Sequence, residues 1–260
     1  MTQVKKFWPI LTGIHRYEKR LSTRGHGEGI IINAPILAYL IETANGRILY
    51  DVGCDYAKIT DEVKRKKFYE NEEFPFGPPQ MTEEQRLPNR LAELGLEKED
   101  IDVVFCSHLH FDHAGGVCEF CGAEVHVHQK ELEAFYEPAD AAYFKEDVAC
   151  PVNWHVYKGE YDLVPGVRAV ETPGHTAGHM SMLIEMPKGS PILLCGDAAD
   201  LRENLEKEIA PGLCWQDDEA MAIASIRKLK KLADETGAEL WPNHDMHFFE
   251  SKNRFPKWFE

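Results

Sequence analysis

The stretch "CSHLHFDHAGG", residues 106–116, crowds three histidines and an aspartate into six positions: His108, His110, Asp112 and His113. No regular element turns all four the same way. On a strand, His108 and His110 share a face while His113 points to the other; on a helix, residues two apart do not face one another. The segment therefore predicts a strand end that breaks into a turn and wraps its side chains around something. Gly115 and Gly116, just beyond, fit a tight turn or a close approach of backbone.

Imidazole and carboxylate groups are metal donors, and each ion wants about four of them. More donors must then come from distant strand ends, and the chain supplies them. "VETPGHTAGH" sets His175 behind a strand and a Pro-Gly turn. "ILLCGDAAD" sets Asp197 behind a strand and a glycine, and "LWPNHD" sets His244 behind a strand. Five histidines and two aspartates suffice for two ions that share one carboxylate. A structural zinc closes with four ligands and prefers cysteine, so the set reads as catalytic. His126 and His128 of "EVHVHQ" read as ordinary alternating strand residues, and His179 as a supporting or core histidine.

Around these motifs, "PILAYLIETANGRILYDVG" reads as a hairpin of strands 36–42 and 47–52 turned by Asn45-Gly46. "IDVVFC" is a buried strand that delivers the histidine cluster. A short helix over 88–94 has Pro88 near its start and Gly95 past its end. "AEVHVHQKELEAFY" is a strand followed by a helix, and further strands lie near 167–172, 181–186 and 192–195. A helix over 218–236 carries Ile223, Ile226, Leu229 and Leu232 at helical spacing, with Asp217 or Asp218 as its cap and Gly237 as its end. Strands dominate, helices recur between them, and the polar chemistry sits at strand ends. That pattern predicts an α/β sandwich of sheets with helices outside. Residues 55–86, charged and then proline-rich, interrupt it as a lid, an interface or a plain insertion. Its aromatic residues Phe68, Tyr69, Phe74 and Phe76 either pack that loop down or line a pocket.

The order "HLHFDH", "PGHTAGH", "CGDA", "NHD", preceded by "LIETANGRILYDVG", resembles the metallo-β-lactamase superfamily across residues 30–250. Within it the chain is most similar to the lactonases that open N-acyl-homoserine lactones, and to 4-pyridoxolactonase. The resemblance implies a single αββα domain of two mixed sheets flanked by helices, with two divalent ions at the sheet edge. It implies His108, His110 and His175 on one ion, Asp112, His113 and His244 on the other, and Asp197 between them. Zinc suits such donors, with cobalt, manganese or iron as alternatives. Asp51 resembles a buried acid that orients a ligand histidine. The implied reaction is lactone hydrolysis by a hydroxide shared between the ions, with Asp112 carrying the proton to the leaving alkoxide. One position departs from the pattern. The lactonases usually carry a tyrosine three residues after the bridging aspartate, and here that residue is Asp200. An acid fills that part only if protonated. Asp200 is therefore a second candidate for the catalytic proton, and Tyr157 or Tyr161 for the missing hydroxyl.

Two competing readings remain on the same motifs. One is hydrolysis of another lactone, ester or thioester, as in the glyoxalase II relatives, although no basic cluster for glutathione follows the motifs. The other is an iron oxidoreductase, against which a full seven-donor set and 260 residues without room for a flavin domain both argue. The net charge of −15, from 44 acidic and 29 basic residues, speaks against a nucleic-acid partner and against the nuclease branch. The expected partner is a small molecule, with a homodimer as the expected assembly. No stretch approaches a membrane span, and the N-terminal "MTQVKKFWPILTG" lacks the sustained apolar core of a leader. Seven scattered cysteines do not form a secreted disulfide framework. A cytoplasmic protein is expected. Cys118 and Cys121 read as a surface thiol pair, and Cys106 and Cys195 as small buried hydrophobes.

Overall fold

The computed structural model describes residues 2–137 and 141–260. Its first sheet runs β1 (Val4–Glu18), β2 (Ile31–Thr43), β3 (Gly46–Tyr50), β4 (Val103–Phe105), β5 (Glu124–His128) and β6 (Asn153–Tyr157), side by side in that order. β1, β2 and β3 pair antiparallel, and β3 through β6 pair parallel. The second sheet contains β7 (Tyr161–Val164), β8 (Val167–Glu171), β9 (Met180–Ile184), β10 (Ile192–Leu194) and β11 (Glu239–Trp241), antiparallel except for β10 beside β11. The expected β2–β3 hairpin forms, but it closes at Thr43 opposite Gly46, so its turn residues are Ala44 and Asn45, one position before the expected Asn45-Gly46, and Gly46 takes a φ of 137°.

Side-chain alternation sorts the layers. Phe7, Tyr39, Tyr50 and Phe105 of the first sheet face Met180, Met182, Ile184 and Trp241 of the second, and together they form the core between the sheets. On the outer side of the first sheet, Leu40, Leu49, Val104 and Val125 are covered by Leu91, Phe120 and Phe135. On the outer side of the second, Leu183 and Leu193 are covered by Ile226 and Leu229. The helices are α1 (Tyr56–Thr60), α2 (Glu62–Tyr69), α3 (Leu87–Glu93), α4 (Phe111–Ala114), α5 (Gln129–Tyr136), α6 (Arg202–Lys207), α7 (Glu219–Thr236) and α8 (Met246–Lys252). The expected αββα sandwich is what forms. α7 begins where the Asp218 carboxylate accepts the Met221 N–H, and it ends at Gly237 in the left-handed region. Among the described residues, no helix is long and apolar enough to cross a membrane.

Three strands escaped the reading of the sequence. β1 carries Pro9 and Gly13, which break the appearance of a strand. Pro9 is tolerated because β1 is an edge, where a missing N–H leaves no ladder bond unmade. Its outer side is covered in part by the C-terminal tail: the Phe7 N–H donates to the Phe259 carbonyl at 3.0 Å, and the Trp8 indole to the Pro256 carbonyl at 3.1 Å. The tail therefore packs against the sheet edge. β6 and β7 are half-exposed and short, and lack a continuous apolar run.

The insertion divides its aromatic residues. Phe68, Tyr69 and Phe74 are buried with Phe111 and Phe144 in a separate cluster, while Phe76 stays exposed. The thiol-pair reading is corrected. Cys118 is disulfide-bonded to Cys150, and Cys121 is the free, exposed partner of the CxxC. Residues 32 apart in sequence meet because the loop before β6 folds back over the turn that follows α4, a proximity invisible to local spacing.

Leu229 is fully buried between α7 and the second sheet. Leu229→Ala is expected to lower unfolding free energy by about 2–5 kcal/mol in urea titrations, and a change below ~1 kcal/mol would contradict this packing.

Candidate metal centre

β4 ends at Phe105, the chain continues extended to His110, and α4 then makes a single helical turn. That turn is the predicted break. It sends Asp112 and His113 back beside His108. The glycines after it serve close approach. A Cβ on Gly115 would lie 2.4 Å from the Phe111 carbonyl oxygen and 2.5 Å from the Asp55 nitrogen. One on Gly116 would lie 2.5 Å from the Val52 oxygen. The second sheet delivers the remaining donors from loops at its strand ends: His175 between β8 and β9, Asp197 after β10, His244 after β11.

All seven predicted residues are buried and converge. Nitrogens of His108, His110 and His175 lie within 4.8 Å of one another, and so do the donors of Asp112, His113 and His244. Asp197 sits between the groups. Its Oδ2 is 3.2 Å from His244 Nε2, 3.5 Å from His175 Nε2 and 3.9 Å from His108 Nε2, and its Oδ1 is 3.4 Å from His113 Nε2. His175 Nε2 and His110 Nδ1 face each other at 3.0 Å.

The far sides of these rings are anchored. His108 Nδ1 is 2.9 Å from Ser107 Oγ, His113 Nδ1 2.8 Å from Asp51 Oδ2, His244 Nδ1 2.9 Å from the Pro35 carbonyl oxygen. Two of the near sides are not: His108 Nε2 and His113 Nε2 are buried with no hydrogen-bond partner, while His244 Nε2 meets Asp197 Oδ2. A buried polar atom left unpaired costs about 1–3 kcal/mol. Rings fixed from behind with lone pairs aimed at a shared point are the arrangement of metal-ligating histidines. The donor set fits divalent cations.

Charge tells the same story. Burial alone would push the Asp197 and Asp112 carboxyls up, but His113 and His244 beside them outweigh it and hold both below the usual carboxylate range. Burial likewise opposes charge on the histidines, yet the carboxylates, Asp197 foremost, lift His113 well above its ordinary value and His244 to about 10. In the cation-free protein, protons on these two imidazoles do the neutralising. His108 goes the other way, lowered by burial and by the neighbouring His113 and His110.

Three residues brace the donors. Asp51 is buried at a left-handed φ of 59°. It accepts the Ser107 N–H at 2.7 Å and the Ser107 hydroxyl at 2.8 Å as well as meeting His113. His179 is no donor to the cluster: its Nε2 accepts the Asp197 N–H at 2.9 Å, and burial lowers its pKa to about 3. Glu131 was missed by sequence reasoning. Its fully buried carboxylate accepts the Leu109 N–H (2.9 Å) and the Tyr143 hydroxyl (2.8 Å) on one oxygen. The other oxygen accepts the Thr176 hydroxyl (2.6 Å) and the Gly178 N–H (3.0 Å). It thereby ties the "HLHFDH" loop to the "PGHTAGH" loop. A glutamate in the first turn of an amphipathic helix looks solvent-facing until the fold is known.

Asp200 is buried beside the cluster. Its Oδ1 has no hydrogen-bond partner, and burial followed by Asp197 pushes its carboxyl up to about 8. Tyr157 and Tyr161, expected as substitutes for a missing hydroxyl, lie instead against His126. Tyr17 of the unforeseen strand β1 lines the recess at the cluster, its hydroxyl 2.8 Å from Ser22 Oγ. A cavity of about 670 Å³ is lined by Tyr17, Leu21, Phe74, Phe76, Phe111 and Leu213. It shares Tyr17, Leu21, Phe111 and Leu213 with a recess of about 80 Å³ walled by Asp112, Asp197, Asp200 and His244.

A cavity that ends on such a donor set, at the strand ends of this sandwich, defines a class of metal-dependent hydrolases, and the chain belongs to it: residues 33–244 match the metallo-beta-lactamase superfamily. Relatives narrow the comparison. The chain is 36% identical to an N-acyl homoserine lactonase from Bacillus sp over 88% of its own length and 89% of the relative's. It is 34% identical to an N-acyl homoserine lactonase from Bacillus thuringiensis over 98% and 99%. Among solved structures, it is similar to an N-acyl homoserine lactone hydrolase with the product N-hexanoyl-L-homoserine at its catalytic metal center. That match has a TM-score of 0.88 and 32% identity, and it covers all of both chains.

Two outcomes are expected. Divalent cations must displace the protons on His113 and His244, so cation uptake releases protons. Affinity should rise by roughly tenfold per pH unit for each proton displaced, up through the His244 value of about 10. Calorimetry in buffers of different ionisation enthalpy reads this, and uptake without proton release would refute it. Glu131→Ala strands four buried partners and should cost at least about 3 kcal/mol, with metal retention against a chelator falling roughly 10–100-fold.

Proposed function

We propose that this protein is a dinuclear metal hydrolase that opens N-acyl homoserine lactones. The observation that carries the reading is the cavity of about 670 Å³, walled by Leu21, Phe74, Phe76, Phe111 and Leu213 beside charged residues such as Arg16 and Glu73, that runs onto a seven-donor cluster. Its size lies in the range of small-molecule sites. The near full-length similarity to N-acyl homoserine lactonases supports the substrate class.

In this reading His108, His110 and His175 hold one cation, Asp112, His113 and His244 hold the other, and Asp197 bridges them. Zinc is the metal proposed, because imidazole and carboxylate donors without thiolate suit it. When bound, the two cations supply a water deprotonated near neutral pH and positive charge for the lactone carbonyl oxygen. The chain's own residues do the rest. Leu21, Phe111 and Leu213 hold the acyl chain and keep bulk water from the recess. Asp112 takes the proton of the attacking water. As the ring C–O bond breaks, Asp112 passes that proton to the departing ring oxygen, and the product is the open hydroxy acid. Asp200, with an unpartnered oxygen at the recess, is the second residue proposed to meet the substrate, where the lactonases carry a tyrosine. Phe74 and Phe76 of the insertion wall the cavity, which favours a lid-like part for residues 55–86.

Proton release on a panel of lactones, with glutathione thioesters as controls and metal content measured alongside, tests the reading. Fast opening of acyl-homoserine lactones with two metal ions per chain is expected. Turnover confined to thioesters would overturn the substrate class. Asp112→Asn, assayed in protein that still holds two metal ions per chain, should lose roughly 10²–10⁴-fold in kcat, and wild-type turnover in that variant would remove Asp112 from the proton path.

A further inference from the structure

The sequence holds a second cluster of metal donors, apart from the one above. Glu124 and His126 lie on one face of β5, and His155 is the residue directly opposite His126 on the neighbouring strand β6. The two imidazoles stack with ring centroids 4.3 Å apart and planes 15° from parallel. Donor atoms of all three residues lie within 4.8 Å of one another, and His126 Nε2 is 3.5 Å from Glu124 Oε2.

His126 is the buried donor of the cluster. The residue is only 7% exposed, and its Nε2 is buried without a hydrogen bond. Its Nδ1 is engaged by the Tyr161 hydroxyl of β7. This is the same pattern as at the main centre: one ring nitrogen fixed from behind, the other aimed at an empty point among donors. Burial and then the adjacent His155 lower the His126 pKa, which favours the neutral ring that a cation needs. Tetrahedral coordination at about 2.0–2.1 Å sets donors roughly 3.3 Å apart, close to the His126–Glu124 separation already present. His155 and Glu124 are exposed, so His155 is free to turn out of its stack on His126 and present a ring nitrogen to the same ion.

We propose that Glu124, His126 and His155 form a separate site for one divalent transition-metal ion at the edge of the sandwich, where β6 and β7 border the two sheets. Two imidazoles and one carboxylate select zinc, copper, nickel or cobalt over magnesium and calcium, which prefer all-oxygen shells. Three protein donors leave a fourth position to water, so binding is weaker than at the seven-donor centre. An ion here fastens the edge strand β6 to β5 and to the second sheet through Tyr161.

The test uses full-length protein whose main centre is already loaded with two equivalents of zinc. Equilibrium dialysis against further zinc, read by elemental analysis, should show a third equivalent per chain. Copper added in its place should give an electron paramagnetic resonance spectrum with coupling to two imidazole nitrogens. His155→Ala, at an exposed position, should lose the third equivalent and that coupling. It should keep two equivalents and unchanged lactone hydrolysis. Glu124→Gln should keep the site with affinity reduced several-fold. Wild-type protein that stops at two equivalents, or His155→Ala that still takes up three, would overturn the proposal.

Discussion

Five imidazoles and two carboxylates, buried in overlapping groups whose donor atoms lie within 4.8 Å of one another, form an arrangement that cannot stand without an internal charge balance. Removing one partner of such a buried network costs several kcal/mol, because the remaining charges have no water to turn to. Much of the architecture can be understood as the means of holding this cluster. The first sheet supplies four donors from a single break after β4, and the second supplies three from the ends of its strands. Neither sheet completes the set alone, so the packing of Phe7, Tyr39, Tyr50 and Phe105 against Met180, Met182 and Trp241 sets the geometry of the chemistry.

The braces follow from the same constraint. Asp51 sits at a left-handed φ to bring both its oxygens onto Ser107 and His113. His179 gives up any donor role to hold the Asp197 backbone. Glu131 takes four hydrogen bonds from two loops that carry donors. Those bonds hold together the loops that carry His110 and His175, which approach to 3.0 Å. Small shifts in any brace would be felt by every donor, since a cluster this tight has no slack.

The cavity shows how a surface insertion and an edge strand become part of the site. Phe68 and Tyr69 bury themselves beside Phe111, which anchors residues 55–86 to α4. That anchoring leaves Phe74 and Phe76 on the cavity wall. β1 crosses on the other side and contributes Tyr17, whose hydroxyl meets Ser22 near Asp200. The polar end of the cavity is thus built by residues nearly two hundred positions apart in sequence.

Read alone, the sequence determined which imidazoles and carboxylates come together and their order along the chain, because such groups crowded at non-repeating spacing have few uses other than meeting at one point. It also determined the β2–β3 hairpin, to within one residue of its turn, and α7, through Asp218, its apolar stripe and Gly237, since these are local backbone preferences. Only the tertiary structure decided what depends on distant neighbours. Pro9 hid β1 until its place at a sheet edge made the missing N–H harmless. Glu131 looked like a surface residue until two loops closed over it. Cys118 took Cys150 across a long loop, although Cys121 lay three residues away. Tyr17, and neither Tyr157 nor Tyr161, reached the site. Local pattern records what a residue can do; which partners it meets is set by how the sheets and loops pack.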